Sequence, residues 1–143
     1  DRWLTVDYYI STALLALFHD AGEVITGDLP TPIKYFNPQI EKAYAQLDVV
    51  AREKLLGMLP PEVRSVYADV LTPTAQKEWK LVKAADKICA YLKCLEEARA
   101  GNREFLKAEA SCLARVKEMT LPEVDYFLEE FVPSFKLTLD ELN

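Results

Sequence analysis

The only histidine in this sequence of 143 residues, His19, is followed directly by Asp20 within the stretch LLALFHDAGEVITGDLPTPIKY, residues 14 to 35. A neutral imidazole and a carboxylate at one helix end can both reach a divalent cation. Glu23 comes three residues after Asp20 and four after His19, which puts it on the same side of the chain if the helix continues briefly. Asp28 adds a fourth polar group. Such a pair also has a structural use, with His19 capping the last carbonyls of a helix while the acids face water. An isolated His-Asp pair serves that end more often than it serves chemistry.

A second carboxylate changes the weighing. In EWKLVKAADKICAYLKCLEE, residues 78 to 97, the spacing of Trp79, Val82, Ala85, Cys89 and Leu92 predicts a buried stripe with Asp86 beside it. An ionised carboxylate in that position is costly unless something positive answers it. Lys83, Lys87 or an arginine from another helix could do so, and so could a metal ion shared with His19 and Asp20. His19, Asp20 and Asp86 around a cation, with Glu23 in reach of a bound water, would make a mixed nitrogen and oxygen set. That set suits Mn²⁺, Co²⁺, Fe²⁺ or Zn²⁺ more than Ca²⁺.

The elements that must position these residues read as helices almost throughout, because apolar residues recur at helical rather than alternating spacing. The first helix is predicted from Val6 to His19. An irregular segment to Phe36 follows, containing Gly22, Gly27, Pro30 and Pro32, and long ordered loops are disproportionately functional. Asn37-Pro38 reads as N-cap and first helical position. The helix it opens carries Ile40, Ala43, Tyr44, Leu47, Val50, Ala51, Leu55 and Met58 as one stripe, interrupted only by Lys54, and Pro60-Pro61 stops it. A short helix to Leu71, a long one from Thr74 to Ala100 closed by Gly101-Asn102, and helices over 103–119 and 122–131 complete the reading. Pro133 is expected to break the last one before a polar tail.

Length and composition predict one domain, residues 1–143, with a large core: 50% of residues are hydrophobic, 28% are charged and 4 are glycine. Against 23 acidic side chains stand 17 Lys and Arg, a net charge of −6 that disfavours nucleic acid polymers and anionic membranes as partners. A small phosphate ester stays compatible, since a metal ion and a few lysines neutralise it locally. Lys34 and Lys83 are candidate phosphate contacts, although lysines at such positions are more often solvated. The apolar run YYISTALLALF is shorter than the ~20 residues a bilayer needs and lacks the basic flank of a signal peptide. The 3 cysteines, Cys89, Cys94 and Cys112, have no metal-type spacing and read as reduced thiols of a cytoplasmic protein. Trp79, Tyr91 and Tyr126 read as core or interface rather than as base-stacking platforms.

The pair His19-Asp20 with a distant ADK aspartate resembles the HD-domain metal-dependent phosphohydrolases. The stretches HDAGEVITGDLPTPIKYF, KAADKICAYLKCLEE, AGNREFL and DYFLEEFVPSFKLTLDEL are similar to the bacterial 5′-deoxynucleotidase family, and the similarity covers most of the chain from Leu14 onward. The resemblance implies an all-α HD-domain helical bundle, homodimeric, that hydrolyses deoxyribonucleoside 5′-monophosphates to deoxyribonucleoside and phosphate. It implies a divalent metal cofactor, cobalt, manganese or another transition metal. Carried over by position, His19, Asp20 and Asp86 match metal ligands and Glu23 matches the catalytic acid/base. Asp28, Leu29, Pro30 and Thr31 match the segment that holds the nucleotide, and Asp20 is expected to bind the substrate with them. Arg2 and Trp3 match an Arg-Trp pair that favours a 2′-deoxy sugar.

The sequence departs from the family in one respect. The family pattern has a further metal-binding histidine on a helix between the Arg-Trp pair and the His-Asp pair, and this sequence has no second histidine. The expectation is that N-terminal helices are missing from the sequence as given, with a break soon after Trp3, because a true deletion would leave apolar faces exposed. VLTPTAQKEW, residues 70 to 79, is also short for the family. Two other readings remain open: a non-catalytic HD-like nucleotide-binding scaffold, and an HD phosphohydrolase acting on a nucleoside triphosphate or cyclic dinucleotide.

Overall fold

The computed structural model describes residues 6–34, 37–72 and 77–141, and all regular structure among them is helical. The α-helices are α1 (Val6–Phe18), α2 (Glu23–Thr26), α3 (Thr31–Lys34), α4 (Pro38–Met58), α5 (Pro61–Leu71), α6 (Lys77–Arg99), α7 (Leu106–Lys117) and α8 (Pro122–Glu130). Three 3₁₀ turns, Arg103–Phe105, Val132–Lys136 and Leu139–Glu141, accompany them. The all-α expectation holds. The chain divides into two compact units, Asp1–Val82 and Lys83–Asn143, the boundary falling within α6. Among the described residues no helix is long and apolar enough to cross a membrane.

In the first unit α1 packs on α5, and α4 packs on α2, α3 and α5. The Phe18 and Tyr67 rings meet edge to face, 6.1 Å between centroids, where α1 crosses α5. The stretch expected to be irregular contains two short helices. Ile25 and Thr26 donate to the Gly22 carbonyl at 3.0 and 3.2 Å, and Ile33 and Lys34 donate to the Pro30 carbonyl at 2.8 and 3.0 Å. Four residues are too few to display an apolar period, so the sequence pattern could not announce them.

The predicted opening of α4 holds: the Asn37 side chain accepts from Ile40 N at 2.9 Å and Pro38 takes the first helical position. Its stripe is rotated from the expected one. Ala51 and Arg52 are buried and Tyr44, Asp48 and Leu55 are half-buried, whereas Ala43, Leu47, Val50 and Met58 are exposed. The inner face includes a charged residue, which is affordable only because Arg52 is hydrogen-bonded on several sides. On α1, Tyr9, Ile10, Leu14 and Leu17 are likewise exposed, while Leu15 is buried.

In the second unit the buried positions of α6 are Ala84, Ile88, Tyr91, Cys94 and Leu95. This corrects the expected stripe: Ala85 and Cys89 are exposed and Leu92 is half-buried. Both faces carry apolar residues, and the partners decide between them. Ala84 and Ile88 cluster with Val116 and Val124, and Tyr91, Cys94 and Leu95 with Cys112 and Val132. Tyr91 is core as expected, whereas Tyr126 is exposed. Gly101 closes α6 at φ +86, a backbone conformation that L side chains resist, and Asn102 N donates to the Glu97 carbonyl at 2.9 Å. The segment after Phe131 is more than a polar tail. Pro133 lies in the 3₁₀ turn Val132–Lys136, whose Val132 is buried, and Arg99 donates to the Phe135 carbonyl at 3.0 Å.

Candidate functional site

The last turn of α1 ends at Phe18, and the next four residues form a tight turn held by Ala21 N to Phe18 O at 3.0 Å and Glu23 N to Asp20 O at 2.9 Å. His19 and Asp20 sit at its start and Glu23 at its end, beginning α2. His19 Nδ1 lies 2.7 Å from the Ala16 carbonyl oxygen. A carbonyl only accepts, so Nδ1 carries the proton there. His19 thus does cap a helix carbonyl, and the cap turns Nε2 toward the Asp20 side chain.

Nε2 lies 2.8 Å from Asp20 Oδ2. A ring nitrogen and a carboxylate oxygen converge on one point, where a proton or a cation can join them. The donor set therefore fits a divalent transition metal: a neutral imidazole oriented by a backbone carbonyl, beside a half-exposed carboxylate. Among the described residues no group of three or more His, Cys, Asp or Glu side chains forms a metal-binding cluster. Asp86, the third ligand expected from the sequence, is half-buried on α6 in the second unit. It shares a helix face with Trp79 and Val82, opposite Ala84, Ile88 and Tyr91.

Glu23 is mostly buried and has two neighbours from outside its turn. Tyr44 on α4 offers its hydroxyl at 3.5 Å from Glu23 Oε1 and 3.3 Å from the Gly27 carbonyl, so a single proton serves both. Lys34 at the end of α3 brings Nζ to 3.8 Å from Glu23 Oε1 and to 4.6 Å from the Tyr44 ring centroid. Burial, and then the charges of Asp20 and Asp28, push the Glu23 carboxyl above its ordinary value, while Lys34 and the Tyr44 hydroxyl pull the other way. A carboxyl that holds its proton to higher pH suits proton transfer.

Beneath the turn lies Arg52, which donates from Nε to Asp48 Oδ2 at 2.8 Å, from Nη1 to the Leu71 carbonyl at 3.2 Å and from Nη2 to the His19 carbonyl. The Trp79 ring lies 5.6 Å from its Cζ. Asp28 and Pro30 are exposed and Leu29 is half-buried, all in the connection between α2 and α3. Thr31 opens α3. Arg2 and Trp3 lie outside the described residues, as do the chain just after Trp3 and residues 73–76, where breaks were expected.

The structure thus brings His19, Asp20 and Glu23 onto one turn, as their spacing implied. Sequence reasoning missed Arg52, Asp48 and Tyr44, and left Lys34 among solvated lysines. The i, i+4 spacing of Asp48 and Arg52 was the available signal for one of them. An all-α chain presenting an adjacent His-Asp pair with a half-buried glutamate at the end of the same turn has the layout of an HD-type phosphohydrolase. The sequence profile of the 5′-deoxynucleotidase YfbR-like family matches residues 5–135, across both units, and the chain belongs to that family. Relatives from Escherichia coli and Shigella boydii serotype 18, each called 5′-deoxynucleotidase YfbR, are 52% identical to it over 133 residues, covering 92% of this chain and 67% of theirs.

Proposed function

We propose that this chain is a single HD-type domain acting as a divalent-metal-dependent 5′-deoxynucleotidase, which hydrolyses deoxyribonucleoside 5′-monophosphates to deoxyribonucleoside and phosphate. The observation that carries the reading is the His19–Asp20 pair. Its imidazole is held through Nδ1 on the Ala16 carbonyl, with Nε2 2.8 Å from a carboxylate oxygen, on a chain of this family. His19 and Asp20 would hold the cation, with Asp86 as a third ligand by its match to the ADK position. When bound, a cobalt, manganese or similar ion supplies charge neutralisation at the phosphoryl oxygens and a more acidic water.

The chain's own residues do the remaining work. Glu23 exchanges a proton with the attacking water or with the departing O5′, and burial and the nearby Asp20 and Asp28 charges, which raise its affinity for a proton, favour that exchange. Lys34 and Tyr44 hold the Glu23 carboxylate in place and stabilise it once the proton has left. Asp28, Leu29, Pro30 and Thr31 hold the nucleotide, with Asp28 accepting from the sugar hydroxyl, and Arg2 and Trp3 favour the 2′-deoxy sugar. Free cysteines accord with a reducing cytoplasmic setting. The apolar residues exposed on α1 accord with a homodimer, which light scattering would read directly.

Phosphate release from dAMP and dCMP beside AMP and CMP, with and without added Mn²⁺ or Co²⁺, tests the reading. Release from the deoxy forms alone, and only with metal, supports it. No release under any metal, from protein shown to be folded, refutes it.

A further inference from the structure

We infer that Arg52, paired with Asp48, is the positioning clamp of the turn that carries His19, Asp20 and Glu23; the inference rests on the proposed function of that turn. Arg52 is the only buried charged residue among the described residues, 6% exposed, in the middle of a helix whose outer residues face water. A guanidinium is buried without heavy loss only when its donors are answered. Here they reach three places at once: Asp48 on its own helix, the carbonyl of Leu71 at the end of α5, and the carbonyl of His19 just past the end of α1. Both carbonyls sit at helix C-termini, where a positive charge is favoured. The fork geometry of arginine allows this division, and the Trp79 face lies beside it.

A second contact comes from the other partner of the pair. A Cβ placed on Gly22 would run into Asp48 Oδ1 and would come within 3.5 Å of Arg52 Cγ. Gly22 has φ −58 and ψ −29, a conformation open to any residue, so glycine is required there for space and not for backbone freedom. The pair therefore touches the turn at both ends: by hydrogen bond at His19, and by close packing at Gly22, next to Glu23. Three residues separate the imidazole from the acid, and both ends of that span rest on one ion pair from α4. The clamp fixes the distance between the His19–Asp20 pair and Glu23 without contacting substrate.

A positioning role differs from a purely structural one in what its loss does to the folded protein. Arg52→Lys keeps the charge and the stem, but a single ammonium cannot reproduce the fork. Gly22→Ala removes no hydrogen-bonding partner of Arg52 but pushes on Asp48, and so on the clamp, from the turn. Both variants, in the full chain, are to be compared with the wild type by Mn²⁺ binding followed by electron paramagnetic resonance, by kcat and KM, and by melting. A further readout is the ¹⁵N spectrum of labelled histidine, which reports one ring because the chain has 1 histidine.

For folded variants the expected result is Mn²⁺ affinity and kcat each lowered about 10-fold or more, the range seen when a group that orients a metal ligand is removed, with KM little changed. The His19 ring signal should shift away from that of the wild type, in which Nδ1 is held on the Ala16 carbonyl. Should Arg52→Lys fail to fold, Gly22→Ala decides alone. Wild-type Mn²⁺ affinity, kcat and ring signal in folded Gly22→Ala, or in folded Arg52→Lys, overturns the clamp. A wild type that neither binds Mn²⁺ nor releases phosphate overturns the proposed function instead, and the ring signal still judges the clamp.

Discussion

Between residues 6 and 82 the buried positions are Leu15, Gly22, Ala51, Leu71 and Val82, with Arg52 beside them, whereas between residues 83 and 141 they are apolar side chains and two cysteines. The first interior is built on direction, since a hydrogen bond weakens steeply when its angle or length is wrong. The second is built on volume, which tolerates small shifts provided the space is filled. The same contrast appears in two glycines. Gly22 in the first unit has ordinary dihedral angles and no room for a Cβ, while Gly101 in the second has open space and a φ of +86 that a side chain resists. Errors around Arg52 in the first unit should therefore surface as lost chemistry, and errors in the second unit's apolar interior as lost stability.

The sharpest test of that division is Glu23→Gln. It should lower kcat about 1000-fold, as expected for removal of a proton-transfer group, or about 4 kcal/mol of barrier, with no loss of melting temperature. Its stability should also lose a pH dependence. Glu23 holds its proton more tightly in the folded chain than its ordinary value of 4.5, so its contribution is fully present below 4.5 and declines as pH rises through the raised value. Glutamine has no such decline, and the variant should gain on the wild type as pH climbs through the weakly acidic range. Denaturation curves at several pH values would read this; a variant that instead loses ground to the wild type as pH rises would mean that folding does not raise the affinity of Glu23 for its proton.

Val116→Ala, at a fully buried position packed with Ala84, Ile88 and Val124, should lower stability by about 2 kcal/mol and leave kcat per folded molecule unchanged. A changed kcat would erase the contrast between the units. The smallest effect belongs to Gly101→Ala. Nothing lies within 4 Å of the added Cβ, so only the positive φ resists it, and the loss in urea denaturation should be about 1 kcal/mol.

What could be read from the sequence was local. His19, Asp20 and Glu23 lie within five residues, and helical geometry alone brings them together. The cap at Asn37 and the stop at Gly101 were equally local, and both hold. The face that each long helix turns inward was misread. On α4 the run of Leu47, Val50 and Met58 looked more apolar than the face that is buried, and no pattern within the helix reveals that Arg52 finds acceptors in residues 19 and 71. On α6 two neighbouring stripes were both plausible, and Val116 and Val124, far along the chain, chose between them. Periodicity sets the spacing of a buried stripe, but its phase belongs to the partners.

The three thiols, inert in the chemistry proposed, are sorted by the fold into different reactivities. Cys89 faces solvent, while Cys94 and Cys112 lie in the second unit's interior, where burial and the neighbouring Cys112 push the Cys94 thiol up to about 11. At neutral pH that leaves Cys94 about one part in 10,000 thiolate, the form that attacks an alkylating reagent. A maleimide dye added to native protein should therefore mark α6 at Cys89 alone. The appearance of further labelled cysteines then counts, molecule by molecule, how often the apolar interior of the second unit opens.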